Sequence, residues 1–107
     1  MSDKAKMAYI SDGHDFLAEG KYHEAIALYK KALELDENYV EAYLSIGKSY
    51  ELMGALDEAV EILKEGLERN PDEPFLHTSL SQCYQKKGMI PEAEEEMAIA
   101  YHLQQSR

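Results

Sequence analysis

The sequence is poor in cysteine and in positive charge, and each shortage excludes a class of structure or partner. Its one cysteine, Cys83, cannot form an internal disulfide, and no Cys or Cys/His set has the spacing of zinc ligands. Lys and Arg total 11 against 21 Asp and Glu, and the resulting net charge of −10 repels phosphate backbones and anionic membranes. We therefore expect no nucleic acid and no membrane as partner, and a reducing, cytoplasmic location.

Long apolar runs are also missing. No stretch approaches the roughly 20 apolar residues that span a bilayer. The first ten residues lack the apolar core of a secretory signal. A chain of 107 residues with 45% apolar content is typical of a single domain with a modest core. We expect little room in it for a deep catalytic cleft.

What the sequence does contain is one pattern that recurs every 34 residues. In the middle of the chain the pattern consists of Tyr43, Ile46, Gly47, Tyr50, Gly54, Ala59, Leu63 and Pro71. The matching positions are Tyr9, Asp12, Gly13, Phe16, Gly20, Ala25, Tyr29 and Glu37 before it, and His77, Leu80, Ser81, Tyr84, Gly88, Ala93, Met97 and Gln105 after it. The spacing predicts three repeats over residues 6–39, 40–73 and 74–107 of a single domain.

Within each repeat, apolar residues three or four positions apart predict two helices, and no segment shows a strand pattern. The predicted helices cover residues 5–19, 22–35, 39–53, 57–69, 74–87 and 91–104. Gly20 and Gly54 mark turns, Asp57 is a plausible N-cap, and Pro74 and Pro91 stand in first turns. Small residues, Gly13, Gly47 and Ser81 facing Ala25, Ala59 and Ala93, predict a close approach of the paired helices.

This order of residues over 6–107 resembles the tetratricopeptide repeat (TPR) family. The resemblance implies an all-α fold, a right-handed α-solenoid of three antiparallel helix hairpins (a TPR superhelix). It also implies that the first helices line a concave groove that holds a peptide or amphipathic helix of a partner. Asp12, His77, Glu37 and Gln105 depart from the family's apolar, aromatic and proline positions, and none of them threatens the fold.

The candidate partner-binding residues are the outward-facing positions of the first helices, which the resemblance places on the concave wall. They are Met7, Ile10, His14, Leu17, Leu44, Ser45, Lys48, Glu51, Leu52, Phe75, Thr78, Ser79, Gln82 and Lys86. The first half of this surface is apolar and the second half is polar. Most acids, Glu61 and Glu65 among them, fall on second helices, so the charge excess indicates a solvated convex face.

Catalysis and metal binding find no support in the motifs. His14 is the one groove residue that titrates near neutral pH, and neither a nucleophile nor a second base is placed with it. His23, His77 and His102 belong to different helices and form no i,i+4 metal-binding pair with one another. We therefore predict a protein that is not an enzyme and that has no cofactor and no metal. A small His-dependent or metal-dependent enzyme is the alternative from another class.

The resemblance to the TPR family is compatible with three functions. The first is an adaptor or scaffold protein, and the second is a dedicated chaperone for an exported or assembling subunit, since small acidic three-repeat proteins serve bacterial secretion. The third is the TPR subfamily that grips chaperone tails with two Lys, two Asn and an Arg. Its positions hold Ile10, His14, Ser45, Phe75 and Ser79 here. Without charged donors a carboxylate has nothing to offset its desolvation, so this third function is disfavoured.

The two ends of the array carry polar residues where the central repeat is apolar. Asp12 and Asp15 replace apolar or small residues in the first repeat, and Glu94 and Glu96 do so in the last. Terminal repeats of a solenoid need such a polar outer face, so the pattern predicts a finished three-repeat unit. We expect Ile90, Tyr101 and Leu103 to stay partly exposed, and the protein to be a monomer or to self-associate weakly through this C-terminal edge.

The repeat phase makes a testable prediction at Ala59. Ala59→Leu inserts a larger side chain between two closely packed helices, and overpacking of this kind costs about 1–3 kcal/mol. Glu61→Leu changes a convex, solvent-facing position and should leave stability almost unchanged. Thermal melts of both variants check this, and equal melting temperatures would show that the repeat phase is misassigned.

Overall fold

The computed structural model describes residues 2–106, which form six α-helices and no strand. The helices are α1 Ser2–Ala18, α2 Tyr22–Leu35, α3 Val40–Leu52, α4 Leu56–Arg69, α5 Pro74–Lys86 and α6 Ile90–Gln105. The last residue of the predicted third repeat, Arg107, lies outside the described residues. The predicted all-α fold is confirmed.

The helices pack as three antiparallel hairpins stacked in chain order. Within the hairpins α1 packs on α2, α3 on α4 and α5 on α6, and between them α2 packs on α3 and α4 on α5. The first helices also contact one another, α1 with α3 and α3 with α5. Over residues 2–106, in contrast, no Cα atom of α2 lies within 8 Å of one of α4. Because the stack is tighter on the side of the first helices, that side is concave, and the second helices form the convex side.

Two apolar clusters form the core, one for each junction between hairpins. The first joins α1, α2 and α3 through Ile10, Ile26, Tyr29 and Ile46, and the second joins α3 to α6 and contains Leu63. Tyr29, Ile46 and Leu63 are almost completely buried, and each contributes about 1.5–3 kcal/mol by leaving water. No hairpin completes a core alone, so each depends on its neighbour.

The predicted small residues lie where the hairpin helices meet, and the space they leave is filled by a side chain. A Cβ atom at Gly13 would lie 2.4 Å from Tyr29 Cε1, and one at Gly47 would lie 2.8 Å from Leu63 Cδ2. In the third hairpin Ser81 occupies this position, and its hydroxyl donates a 2.7 Å hydrogen bond to the backbone oxygen of Ala93. The close approach therefore serves a large partner side chain in two hairpins and a backbone contact in the third.

The turn inside each hairpin ends the first helix in the same way. Gly20 has a φ of 76°, in the left-handed region that favours glycine, and Lys21 N–H donates to the oxygen of Phe16 at 2.9 Å. Ala55 and Met89 repeat this bond in the other hairpins at 2.9 and 2.8 Å. This is the Schellman arrangement, which turns the chain sharply enough for antiparallel helices.

Two details of the helix boundaries differ from prediction. Helix α1 begins at Ser2, three residues earlier than expected, with Asp3 in its first turn, where an acid stabilises the helix dipole. Helix α4 begins at Leu56 after Ala55, and no side chain caps it, so the N-cap prediction for Asp57 is wrong. Asp57 instead lies in the first turn and pairs with Lys87.

The terminal polar residues behave in two ways. Asp12, Asp15 and Glu94 are exposed, as expected for the outer faces of an array, and Ile90 and Tyr101 are exposed with them. Glu96 is different, since it is mostly buried and its Oε1 lies 2.7 Å from Nδ1 of His77. The other ring nitrogen of His77 donates to the oxygen of Pro71 at 2.9 Å. His77, an atypical residue for its repeat position, thus connects α5, α6 and the preceding loop.

An ion pair fastens the loop between the first and second hairpins to α1. Lys6 Nζ lies 2.6 Å from Asp36 Oδ2 and 4.4 Å from the centre of the Tyr39 ring. The hydrogen bond from Lys6, followed by one from the backbone N–H of Asn38, lowers the pKa of Asp36 below its ordinary value. The loop is thereby held against the side of α1 that faces α3.

This ion pair predicts a pH-dependent contribution to stability. A lowered folded pKa means that the contribution of Asp36 is present above about pH 4 and is lost as the pH falls through the folded pKa. Asp36→Asn should therefore lower the melting temperature at neutral pH, and the gap to wild type should narrow towards about pH 3. Asp12→Asn, at an exposed carboxylate, is the matched control and should stay close to wild type at both pH values. If the difference in melting temperature between Asp36→Asn and wild type did not change with pH, the lowered pKa of Asp36 would be contradicted.

Candidate partner-binding groove

A depression of about 680 Å³ lies between α1, α3 and the loop that precedes α3. We call it the α1–α3 groove. Its lining residues are His14, Leu17, Asp36, Asn38, Tyr39, Val40, Glu41, Leu44, Ser45, Lys48 and Glu73. Apolar side chains form the floor and charged groups surround them.

Five of the predicted site residues line this groove. His14 and Leu17 come from the last turns of α1, and Leu44, Ser45 and Lys48 come from the middle of α3. On α3 the spacing of three to four residues keeps Leu44 and Lys48 on one face, because each residue turns the helix by about 100°. The structure brings these five residues together at one depression, although Ser45, predicted to face outward, is only 8% exposed. Their role in partner binding stays a prediction.

Six lining residues were missed, and five of them belong to the loop before α3 and its first turn. They are Asp36, Asn38, Tyr39, Val40 and Glu41, and the sixth, Glu73, precedes α5. Projection of helix faces alone cannot find residues that lie outside helices. The signal was present in the repeat, since Tyr39 and Glu73 are one 34-residue period apart and each stands directly before a first helix.

The prediction that Ile10 faces outward is wrong. Its side chain is only 4% exposed and belongs to the core cluster with Ala42 and Ile46 of α3. The packing of α3 against α1 therefore covers this position. Ile10 thus has a structural role in the contact between the first two hairpins.

The remaining predicted residues lie outside the α1–α3 groove. Met7, Leu52 and Phe75 are exposed, Met7 by 60% and Phe75 by 57%. On α5, Gln82 and Lys86 are exposed, while Thr78 and Ser79 are half-buried. The structure therefore divides the predicted surface into one formed groove and a more open polar extension along α5.

Glu51 was predicted to face outward, and the structure corrects this as well. Its side chain is only 7% exposed and is held between two lysines. Lys86 Nζ of α5 lies 2.7 Å from Oε2, and Lys48 Nζ lies 3.7 Å from Oε1. This arrangement joins α3 to α5 on the concave side and leaves one positive charge in excess beside the groove.

His14 is positioned by a buried tyrosine. Its Nδ1 lies 2.7 Å from the hydroxyl oxygen of Tyr29, and its Nε2 lies 3.8 Å from Glu41 Oε1 across the groove. Burial, and secondarily the Glu41 charge, raise the pKa of Tyr29, so the phenol stays protonated at neutral pH.

The one cysteine is not accessible as a catalytic group. Cys83 is buried, and burial followed by the Glu51 charge raises the pKa of its thiol to about 11, so it is no nucleophile at neutral pH. Across residues 2–106 no group of three or more His, Cys, Asp or Glu is arranged to hold a metal ion. In the same residues no helix combines the length and the apolarity needed to cross a membrane.

The chain belongs to the tetratricopeptide repeat family, since a model of that repeat matches residues 16–82. No curated protein matches the chain by sequence.

Solved structures resemble the fold over nearly the whole chain. One is SycD of Yersinia enterocolitica, a type III secretion translocator chaperone, with a TM-score of 0.88, 24% identity, and coverage of 94% of this chain and 75% of that one. SycD in complex with a peptide of the translocator YopD has a TM-score of 0.83, 26% identity, and coverage of 96% and 78%. MamA has a TM-score of 0.85 and 24% identity. The match covers 95% of this chain and 60% of the MamA chain.

The buried Glu51 makes a prediction about stability. Glu51→Gln keeps the shape but removes the charge that two lysines share, and should lower the free energy of unfolding by about 1 kcal/mol, given the partial exposure of both lysines. Glu58→Gln on the exposed side of α4 is the matched control and should cost almost nothing. Urea unfolding measures both, and an equal loss for the two variants would remove the proposed link between α3 and α5.

Proposed function

We propose that the protein is a non-enzymatic interaction module that binds a segment of a partner protein in the α1–α3 groove. The observation that carries the proposal is the combination of half-buried Leu17, Val40 and Leu44 on a concave surface with polar groups around them. Apolar side chains gathered in a concave depression favour burial by a partner. The three repeats over residues 6–39, 40–73 and 74–107 would act together as one binding unit.

The comparison with SycD supports a segment as the ligand. That chaperone shares the fold over 96% of this chain and is seen with a peptide of its translocator partner. A chain segment suits a groove of about 680 Å³ better than a folded surface does, because a groove of this size accepts only a few side chains.

Two roles fit such a groove. An adaptor or scaffold would hold the segment of a stable partner within a complex, whereas a chaperone would protect one client subunit before export or assembly. The structural similarity to SycD, itself a secretion chaperone, supports the chaperone role as a second candidate. Affinity capture from the native cell with mass spectrometry separates them: one aggregation-prone client supports the chaperone, and several subunits of one complex support the adaptor.

We also propose a cellular location and a mode of self-association. The one cysteine is buried and has no second cysteine in the chain to pair with, which supports action in a reducing compartment such as the cytoplasm. Ile90 and Tyr101 give α6 an exposed apolar stripe, which supports weak self-association of an otherwise monomeric protein at the C-terminal edge.

The groove proposal predicts how mutations affect binding of the captured partner. Burial of several half-exposed apolar groups, after the cost of association, leads to micromolar affinity, a binding free energy of about −8 kcal/mol. Leu17→Asp/Leu44→Asp places two charges on the groove floor and should weaken binding at least tenfold. Isothermal titration calorimetry with the captured partner measures the change, and circular dichroism shows whether the variant is folded.

The matched control is Glu61→Lys/Glu65→Lys on the convex side, which should leave affinity within about twofold at physiological ionic strength, where exposed charges are largely screened. If the convex variant abolished binding while the groove variant had no effect, the functional surface would lie on the convex side.

A further inference from the structure

We infer that the α1–α3 groove selects an extended segment with one basic and one acidic side chain on either side of an apolar residue. The inference rests on the proposed function, because it names the chemistry of the segment that the groove would bind. It is drawn from the distribution of charge along α3. Negative groups gather at one end of the groove, and a positive charge lies in excess at the other.

The negative end lies at the start of α3. Glu41 is more than half exposed there, and its carboxylate lies 3.8 Å from Nε2 of His14. Asp36 lies at the same end, but Lys6 neutralises it at 2.6 Å. Glu73, which precedes the parallel helix α5, adds a further carboxylate to the lining. A basic side chain of a ligand would therefore find complementary charge at Glu41.

The positive end lies two helical turns further along α3. Lys48 lines the groove with its side chain 56% exposed, and Lys86 lies beyond it with a similar exposure. These two lysines share one carboxylate, that of Glu51, whose side chain is 7% exposed. The cluster therefore presents an excess positive charge to the groove, suited to an acidic side chain of the ligand.

The spacing of the two ends sets the spacing in the ligand. Glu41 and Lys48 are seven residues apart on one helix, which places them on one face and about 10 Å apart along its axis. Leu44 lies between them, opposite Leu17 of α1. A polyproline II segment rises about 9 Å over three residues and brings the first and fourth side chains to the same side. Its basic and acidic residues would therefore be three positions apart, with an apolar residue between.

The groove is narrow at its acidic end, which favours an extended segment over a helix. There, side chains of α1 and α3 approach within 3.8 Å at His14 and Glu41. A helix with its side chains is about 10 Å wide and would lie above this contact, away from Leu17 and Leu44.

Synthetic peptides test the inference without the natural partner. Three capped, fluorescein-labelled peptides share a Gly, Ser and Pro background, which prevents helix formation, and one central leucine. At two positions three residues apart they carry Lys and Glu, two Lys, or two Glu. Binding is measured by fluorescence anisotropy at about 0.15 M salt. The Debye length is then near 8 Å, which limits the long-range attraction of the acidic protein for any cation.

Wild type should bind the mixed peptide about threefold to fivefold more tightly than either uniform peptide, as expected for one exposed ion pair gained. Glu41→Lys should move the preference to the peptide with two Glu, and Lys48→Glu should move it to the peptide with two Lys. Glu58→Lys and Lys64→Glu on the convex helix α4 make the same changes in net charge and should leave the mixed peptide preferred.

Equal affinity of wild type for all three peptides would overturn the inference, as would a preference that follows net charge in the control variants. Absence of binding by every peptide would overturn it too. The titrations of the captured partner decide the proposed function separately, so that function can stand when the charge rule fails.

Discussion

The contact between the two helices of each hairpin is the constraint on which the rest of the structure depends. Gly13 and Gly47 leave room for Tyr29 and Leu63, and these two side chains are at the same time central members of the clusters that join one hairpin to the next. Packing within a hairpin and packing between hairpins are thus carried by the same atoms. A change in the packing of one hairpin is therefore felt at its junction with the next.

The curvature of the stack produces the surface that we propose binds a partner. Because the first helices contact one another and the second helices spread apart, side chains of α1 and α3 converge on a single groove. The loop before α3 completes the groove, and the pair formed by Lys6 and Asp36 holds that loop in place. On the opposite side of the groove, Glu51 and its lysines join α3 to α5. Ion pairs across hairpins therefore define the two ends of the groove, while apolar packing defines its floor.

Most of the fold could be predicted from the sequence, because the 34-residue period reports packing that is repeated in each hairpin. Gly20 and Gly54 marked turns that the structure places at positive φ, and Ala59 marked a fully buried contact. The helix ends were harder to predict from the sequence. Asp57 has the side chain of a typical N-cap, but it forms an ion pair with Lys87, which is distant in sequence.

The groove could be predicted only in part, because its residues depend on how one hairpin lies against the next. A helical projection places Ile10 and Glu51 on the outward face, yet neighbouring helices cover both. The loop residues Asn38 and Tyr39 carry no helical periodicity and enter the groove only through the tertiary fold. Partner pairs such as His77 with Glu96 likewise join residues that no local pattern connects.

Photo-crosslinking in the native cell tests the central claim, that partners bind on the concave side, most directly. A photoreactive amino acid is placed at Leu44 in the groove or at Glu61 on the convex side, and crosslinked partners are detected after irradiation. The account predicts that the position of Leu44 yields a specific partner adduct and that the position of Glu61 yields none. An adduct formed from Glu61 but not from Leu44 would contradict it.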